Sequence, residues 1–179
     1  MKTKFLKSLS LLAIVVALQT SPANAGSSSV VVNGKSYHFD STYEWNENNL
    51  GLGIEHEFDS NSAWLKTVMA NGFRDSTDNM SYMVGAGLHR RLFETHRLGR
   101  FYITAGLNAF VMTRKDVNDN RPFPGILPSV SLGNEMFGFN LSYMPKLALE
   151  ETVGMKVADP TLSGILFLQF KLNMDLFMP

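Results

Sequence analysis

The residue types of a serine-based transfer or hydrolysis centre occur here as His38 and the adjacent pair Asp75-Ser76. A histidine can take the proton of a serine hydroxyl, and an aspartate can orient the imidazole or stabilise its charge. On spacing alone the set is weak. An Asp-Ser pair in a loop commonly caps a turn, and a lone histidine on a strand is commonly structural. His56, His89 and His96 do not fall at metal-ligand spacing, and HExxH, P-loop and GxSxG patterns are absent. Asp116, Asp119 and Arg121 read as loop polars that can meet lipid headgroups. His38 and Asp75-Ser76 lie far apart in sequence, so whatever chemistry they do depends on a fold that brings the chain back to one place.

The 179 residues suffice for one domain. Charge is balanced, 16 Lys+Arg against 16 Asp+Glu, with no Lys/Arg stripe of the kind nucleic acid requires. The absence of cysteine excludes thiol nucleophiles, disulfides, zinc-thiolate sites and iron–sulfur clusters.

The first 25 residues read as an export leader. Lys2, Lys4 and Lys7 precede an apolar run from Leu9 to Leu18, and Ala23-Asn24-Ala25 has the small residues that signal peptidase accepts. Removing them takes away three of the 16 basic residues and none of the 16 acidic ones, leaving a formal charge of −3. No later apolar run reaches the length of a membrane helix. A membrane form of the remaining domain, 26–179, must then be a β-barrel, because only helices and closed barrels satisfy their backbone in lipid.

The pattern after residue 26 is one of strands. Eight stretches, near 30–40, 50–58, 63–73, 81–93, 101–112, 126–133, 136–144 and 162–172, are separated by polar breakers. Asn33-Gly34 interrupts the first and predicts a bulge or a break. The fifth is the clearest: Phe101, Ile103, Ala105, Leu107, Ala109 and Val111 alternate with Tyr102, Thr104, Gly106, Asn108, Phe110 and Met112. Such a run is long enough to cross a bilayer at a tilt. Connections after the second, fourth and sixth strands are short, and those after the others are mostly longer and more polar. Aromatics gather near strand ends, Trp45, Trp64 and Tyr143 among them, as an interfacial girdle requires. The less apolar face is rich in Gly, Ser, Thr and Asn rather than Lys and Glu, which suits a tight lumen better than the outside of a soluble barrel. The expectation is an all-β, eight-stranded antiparallel transmembrane β-barrel with a small lumen. In that topology His38 and Asp75-Ser76 meet at one rim, with Met69, Met83, Phe110 and Met112 available to line the lumen beneath.

Several blocks of this sequence resemble the lipid A palmitoyltransferase (PagP-like) family of outer-membrane barrels. They are Tyr37-His38-Phe39, Trp45-Asn46-Glu47 with Leu50-Gly51-Leu52-Gly53, Phe73-Arg74-Asp75-Ser76, Phe101 to Arg114, Phe123 to Val130, Tyr143-Met144-Pro145, and Phe167-Leu168-Gln169-Phe170. The resemblance implies His38, Asp75 and Ser76 as the catalytic residues. His38 would assist removal of a hydroxyl proton, Asp75 would support the charge, and Ser76 would be either a nucleophile or part of the hydrogen-bond network. It implies transfer of a palmitoyl group from a phospholipid donor to lipid A (lipopolysaccharide) in the outer membrane of a Gram-negative bacterium, by a monomer among outer-membrane lipids, with no metal or soluble cofactor. The interior would serve as a hydrocarbon ruler. Departures are Arg74 where the family has lysine, too few residues at 26–32 for an amphipathic helix, a last loop lengthened by Leu149-Glu150-Glu151-Thr152, and the continuation from Asn173 to Pro179. A lipid A deacylase and a non-enzymatic envelope barrel share the same strands.

Overall fold

The computed structural model describes residues 26–97, 99–152, 159–175 and 177. The expected leader lies outside them. Eight strands form in chain order: β1 (Ser27–Phe39), β2 (Asn48–Phe58), β3 (Trp64–Arg74), β4 (Met80–Glu94), β5 (Tyr102–Thr113), β6 (Phe123–Gly133), β7 (Phe137–Pro145) and β8 (Gly164–Asn173). Each pairs antiparallel with the next, and β1 pairs with β8, so the sheet closes on itself. Closure leaves no free edge strand, although β6 and β7 pair only from Ser129↔Ser142 to Gly133↔Gly138. Two short helices stand in the connections, α1 (Lys115–Asn118) and α2 (Lys146–Thr152).

Period-two alternation decides which side chains face the lumen. Leu50, Leu52, Tyr82, Val84, Leu88, Leu107, Val111, Ile126 and Leu168 point outward and are exposed. Asn33, Thr67, Asn71, Asn108, Ser129, Ser131, Asn140 and Gln169 are buried inside. This inverts the arrangement of a water-soluble barrel, in which the apolar face is hidden.

The lumen is filled in two parts. Toward the end that carries the β2–β3, β4–β5 and β6–β7 connections, polar side chains satisfy one another. Lys171 Nζ donates to Glu55 Oε1 at 2.8 Å, Asn140 Nδ2 to Glu55 Oε2 at 3.3 Å, and Ser131 Oγ to Asn140 Oδ1 at 2.6 Å. Above them Gln169 Nε2 donates to Asn33 Oδ1 at 2.7 Å, and Asn108 bridges His89 and Ser129. A buried polar network holds only when its members are paired in this way. Toward the other end the filling turns apolar: Phe73, Met83 and Phe110 pack together, flanked by Met69, Met112, Leu127 and Met144.

One irregularity sets the site. The register of β1 shifts between Asn33 and Lys35 against β2, and between Asn33 and Ser36 against β8. Val31 and Asn33 face inward, so strict alternation would turn Lys35 and Tyr37 inward too. The bulge at Gly34 reverses the phase, and Ser36 and His38 are the buried residues instead.

Candidate active site

His38, at the end of β1, meets the β3–β4 turn across the barrel mouth. His38 Nε2 and Ser76 Oγ are 3.1 Å apart. Both residues are buried, with 6% and 9% of their surface exposed. Two asparagines of the β1–β2 loop and β2 clamp the turn in place. Asn46 N donates to the Ser76 carbonyl at 2.9 Å and Asn46 Nδ2 to the Asp75 carbonyl at 3.0 Å, while Asn49 Nδ2 donates to the Arg74 carbonyl at 3.0 Å.

Asp75, 1% exposed, faces a different way. Its Oδ1 accepts from Thr77 N, Thr77 Oγ1 and Asn79 N, at 2.9, 2.8 and 3.1 Å, which is the turn-capping pattern of an Asp at a loop start. Its Oδ2 accepts from Ser81 Oγ at 2.7 Å and lies 3.9 Å from Arg114 Nε. Burial alone would raise this carboxyl, but the Ser81 and Thr77 hydroxyls, the Arg114 charge and the Asn79 N–H outweigh burial and hold it below the usual carboxylate range. The carboxylate beside the His38 ring is instead Glu47, whose Oε1 lies 3.7 Å from Nδ1.

Ser76, with His38 behind it, lines a cavity of about 130 Å³. Its upper edge carries Asn49, Asp75, Ser76 and Arg114, its walls are mostly apolar, with Met69, Phe73, Met83, Phe110, Met144 and Phe167, and Asn108 and Gln169 close it below. An apolar pocket with a few polar groups at its mouth is the arrangement that holds an aliphatic chain and presents its polar end to reactive groups.

The matched family model, described as "PagP: Antimicrobial peptide resistance and lipid A acylation protein PagP", covers residues 23–155, including His38, Asp75 and Ser76. The chain belongs to the PagP family. Among curated relatives, a lipid A acyltransferase PagP of Methylobacillus flagellatus is 32% identical over 111 residues, 62% of this chain and 58% of that one. The match thus spans less than two thirds of that relative's length. The lipid A acyltransferase PagP of Bordetella pertussis is 29% identical over 131 residues, 68% of this chain and 69% of the relative.

Within this PagP-family barrel, three neighbours of the site escaped the sequence reading. Trp45, assigned there to an interfacial girdle, stacks on His38, with ring centroids 5.1 Å apart and planes at 13°. Its Nε1 donates to Ser41 Oγ at 2.7 Å, and Ser41 in turn donates to Asp159. Arg114, held by Asp116 through two contacts of 3.0 and 2.9 Å, caps the pocket mouth beside Asp75. Glu47 faces the His38 ring from the β1–β2 loop. No periodicity marks a loop residue, so spacing could not have found these three.

Proposed function

We propose that this chain spans the outer membrane as a monomeric barrel after export, and moves a palmitoyl chain from a phospholipid to lipid A, using Ser76 and His38. One observation carries the proposal: the Ser76 hydroxyl lies 3.1 Å from His38 Nε2 at the mouth of a methionine- and phenylalanine-lined pocket. A hydroxyl in hydrogen-bond reach of an imidazole is the signature of an activated nucleophile. The apolar walls below receive the carbonyl-proximal part of the acyl chain and so fix the ester carbonyl at the rim.

The outward apolar face supports the membrane placement, since hydrocarbon is the solvent it fits. Lateral entry has support in the sheet. β6 and β7 are paired only from Ser129↔Ser142 to Gly133↔Gly138, whereas β6 runs on to Phe123. Pro124 and Pro128, in that unpaired stretch, have no N–H to donate to β7. The seam opens beside Leu127 and Met144, which line the pocket. A chain already in the bilayer reaches the pocket through this gap without passing through water.

The chemistry balances without a cofactor. Ser76 Oγ attacks the phospholipid ester carbonyl as its proton passes to His38 Nε2. Collapse of the tetrahedral intermediate breaks the ester bond, and the lysophospholipid alkoxide leaves with that proton. A lipid A hydroxyl then attacks the acyl-serine, gives its proton to His38, and departs acylated as Ser76 recovers its hydrogen. Asp75 holds Ser76 in position by capping the turn that carries it.

The test is mass spectrometry of lipid A after incubation with the purified protein and a palmitoyl phospholipid in detergent. Gain of one palmitoyl mass, abolished by His38→Ala, is the expected result. Unchanged lipid A would favour the envelope-barrel reading, and loss of an acyl mass a deacylase.

A further inference from the structure

Serine attack leaves His38 as an imidazolium, and that charge needs a partner at Nδ1. The Nδ1 atom of His38 is buried and has no hydrogen-bond partner among the described residues. Asp75, the carboxylate nearest in sequence to Ser76, has its oxygens taken up by Thr77, Asn79 and Ser81. Glu47 stands on the open side of the ring. Its Oε1 lies 3.7 Å from Nδ1 and accepts the backbone N–H of His38 at 3.3 Å. The Glu47 carbonyl accepts from Ser36 N at 3.0 Å, so the loop backbone is tied to β1 two residues before His38. Part of the Glu47 side chain remains exposed.

We propose that Glu47, and not Asp75, is the carboxylate that orients the His38 ring and stabilises its imidazolium, so that the working array runs Ser76–His38–Glu47. Glu47 is a positioning residue: it touches His38, while Ser76 meets the substrate. A movement of roughly one ångström by the half-exposed Glu47 side chain closes the 3.7 Å gap into a charge-assisted hydrogen bond once Nδ1 carries its proton and charge. The other charged groups around the ring come from different loops. Arg114 of the β5–β6 loop opposes an imidazolium, and Asp75 of the β3–β4 turn faces Arg114. Asp159 of the β7–β8 loop acts through Ser41 and the stacked Trp45. β8 pairs with His38 through the uncharged Ile165.

This inference rests on the acyl-transfer reading for its chemistry, and two measurements keep the two apart. The first needs no activity: titration of the four histidine rings by NMR in detergent micelles, in the wild type, Glu47→Gln and Asp75→Asn. The Gln amide keeps an oxygen to accept the His38 N–H but removes the charge. In Glu47→Gln the His38 midpoint should fall by about half a pH unit or more, with His56, His89 and His96 unmoved. Asp75→Asn should move it less. The second measurement is transfer kinetics. Glu47→Gln should lower kcat about tenfold or more with KM unchanged, and shift the acid limb of the pH–rate profile to lower pH by the same interval as the ring. Different mobility of boiled and unboiled samples on a gel confirms that each variant has folded. A His38 midpoint unmoved in Glu47→Gln, or moved further by Asp75→Asn, overturns the assignment. Absence of transfer by the wild type overturns the acyl-transfer reading alone, and the titration still decides the role of Glu47.

Discussion

The Trp45 indole lies nearly parallel to the His38 imidazole, 5.1 Å away, and is itself held by a hydrogen bond from Nε1 to Ser41 Oγ. The ring is therefore confined on one face by an aromatic plane and on its edges by Ser76 and Glu47. Stacking of this kind is worth about 0.5–1.5 kcal/mol, so Trp45→Ala should cost about three- to tenfold in kcat. Trp45→Phe, which keeps a ring but drops the Ser41 bond, should cost less. The chain has two tryptophans. In a Trp64→Phe background, Trp45 emission should be quenched as His38 becomes protonated, with the same midpoint as the ring titration. An emission independent of pH between 4 and 8 would show that the rings are not in contact.

Asp75 makes the rim sensitive to acid. Its carboxyl is held below its ordinary value of 3.8, so its contribution is complete above that value and disappears as pH falls through the lower, folded one. Asp159 behaves alike, pulled well down by the hydroxyls of Ser41 and Thr161 and the N–H groups of Thr161 and Thr42. Asp75→Ala strands the Thr77, Asn79 and Ser81 donors and should cost about 2–4 kcal/mol at pH 7. At pH 2 the difference between wild type and variant should be smaller, because the part that depends on the charge is lost as the carboxyl takes up its proton. Urea unfolding in detergent at the two pH values measures it, and an undiminished difference at pH 2 would mean that the Asp75 charge contributes nothing.

The barrel was legible because alternation is a strong signal when one face meets an apolar medium. β5 shows it over its whole length, and the structure puts Leu107 and Val111 outside with Asn108 and Phe110 inside. Alternation left Met69, Met83 and Met112 available to the lumen without fixing their direction, and the structure sets them around the pocket. The direction of His38 did not, because alternation from Val31 turns it outward and only the shift at Gly34 brings it in. Asn33-Gly34 marked a disturbance without giving its phase. β6 starts at Phe123, earlier than its pattern suggested, because Pro124 lies on the strand side where β7 makes no ladder. Helix α2, Lys146–Thr152, stands where the sequence pattern predicts a loop: a segment this short carries too little periodicity to announce itself and does not form without tertiary support. Glu47, Trp45 and Arg114 sit in connections, where facing is decided by contacts between loops.

Chain-length preference should follow the pocket wall. Met69 lies deep in the cavity, and Phe73 higher on the same strand. Met69→Phe should shift the preferred donor to a shorter acyl chain, and Met69→Ala to a longer one. Each methylene misfit in an apolar pocket is worth about 1–3 kcal/mol, or roughly ten- to 200-fold in kcat/KM between neighbouring donors. Competition among phospholipids of graded chain length, read by mass spectrometry of the acylated product, measures it directly. An unchanged preference in both variants would place the acyl chain elsewhere.

At the far end of the lumen from His38 and Ser76, Lys171 and Glu55 form a buried ion pair. Burying either charge alone is costly, so Lys171→Met should destabilise the barrel by about 3–5 kcal/mol, because Glu55 is left without its cation. Adding Glu55→Gln should recover most of that loss, since the amide can still receive and donate hydrogen bonds beside Asn140. Transfer activity of the folded double variant should match the wild type, because the pocket and the His38–Ser76 pair lie at the opposite mouth. Urea midpoints of the two single variants and the double complete the cycle. Additive losses would mean that the two side chains do not depend on one another, and reduced transfer in the double variant would mean that the two ends of the lumen are coupled.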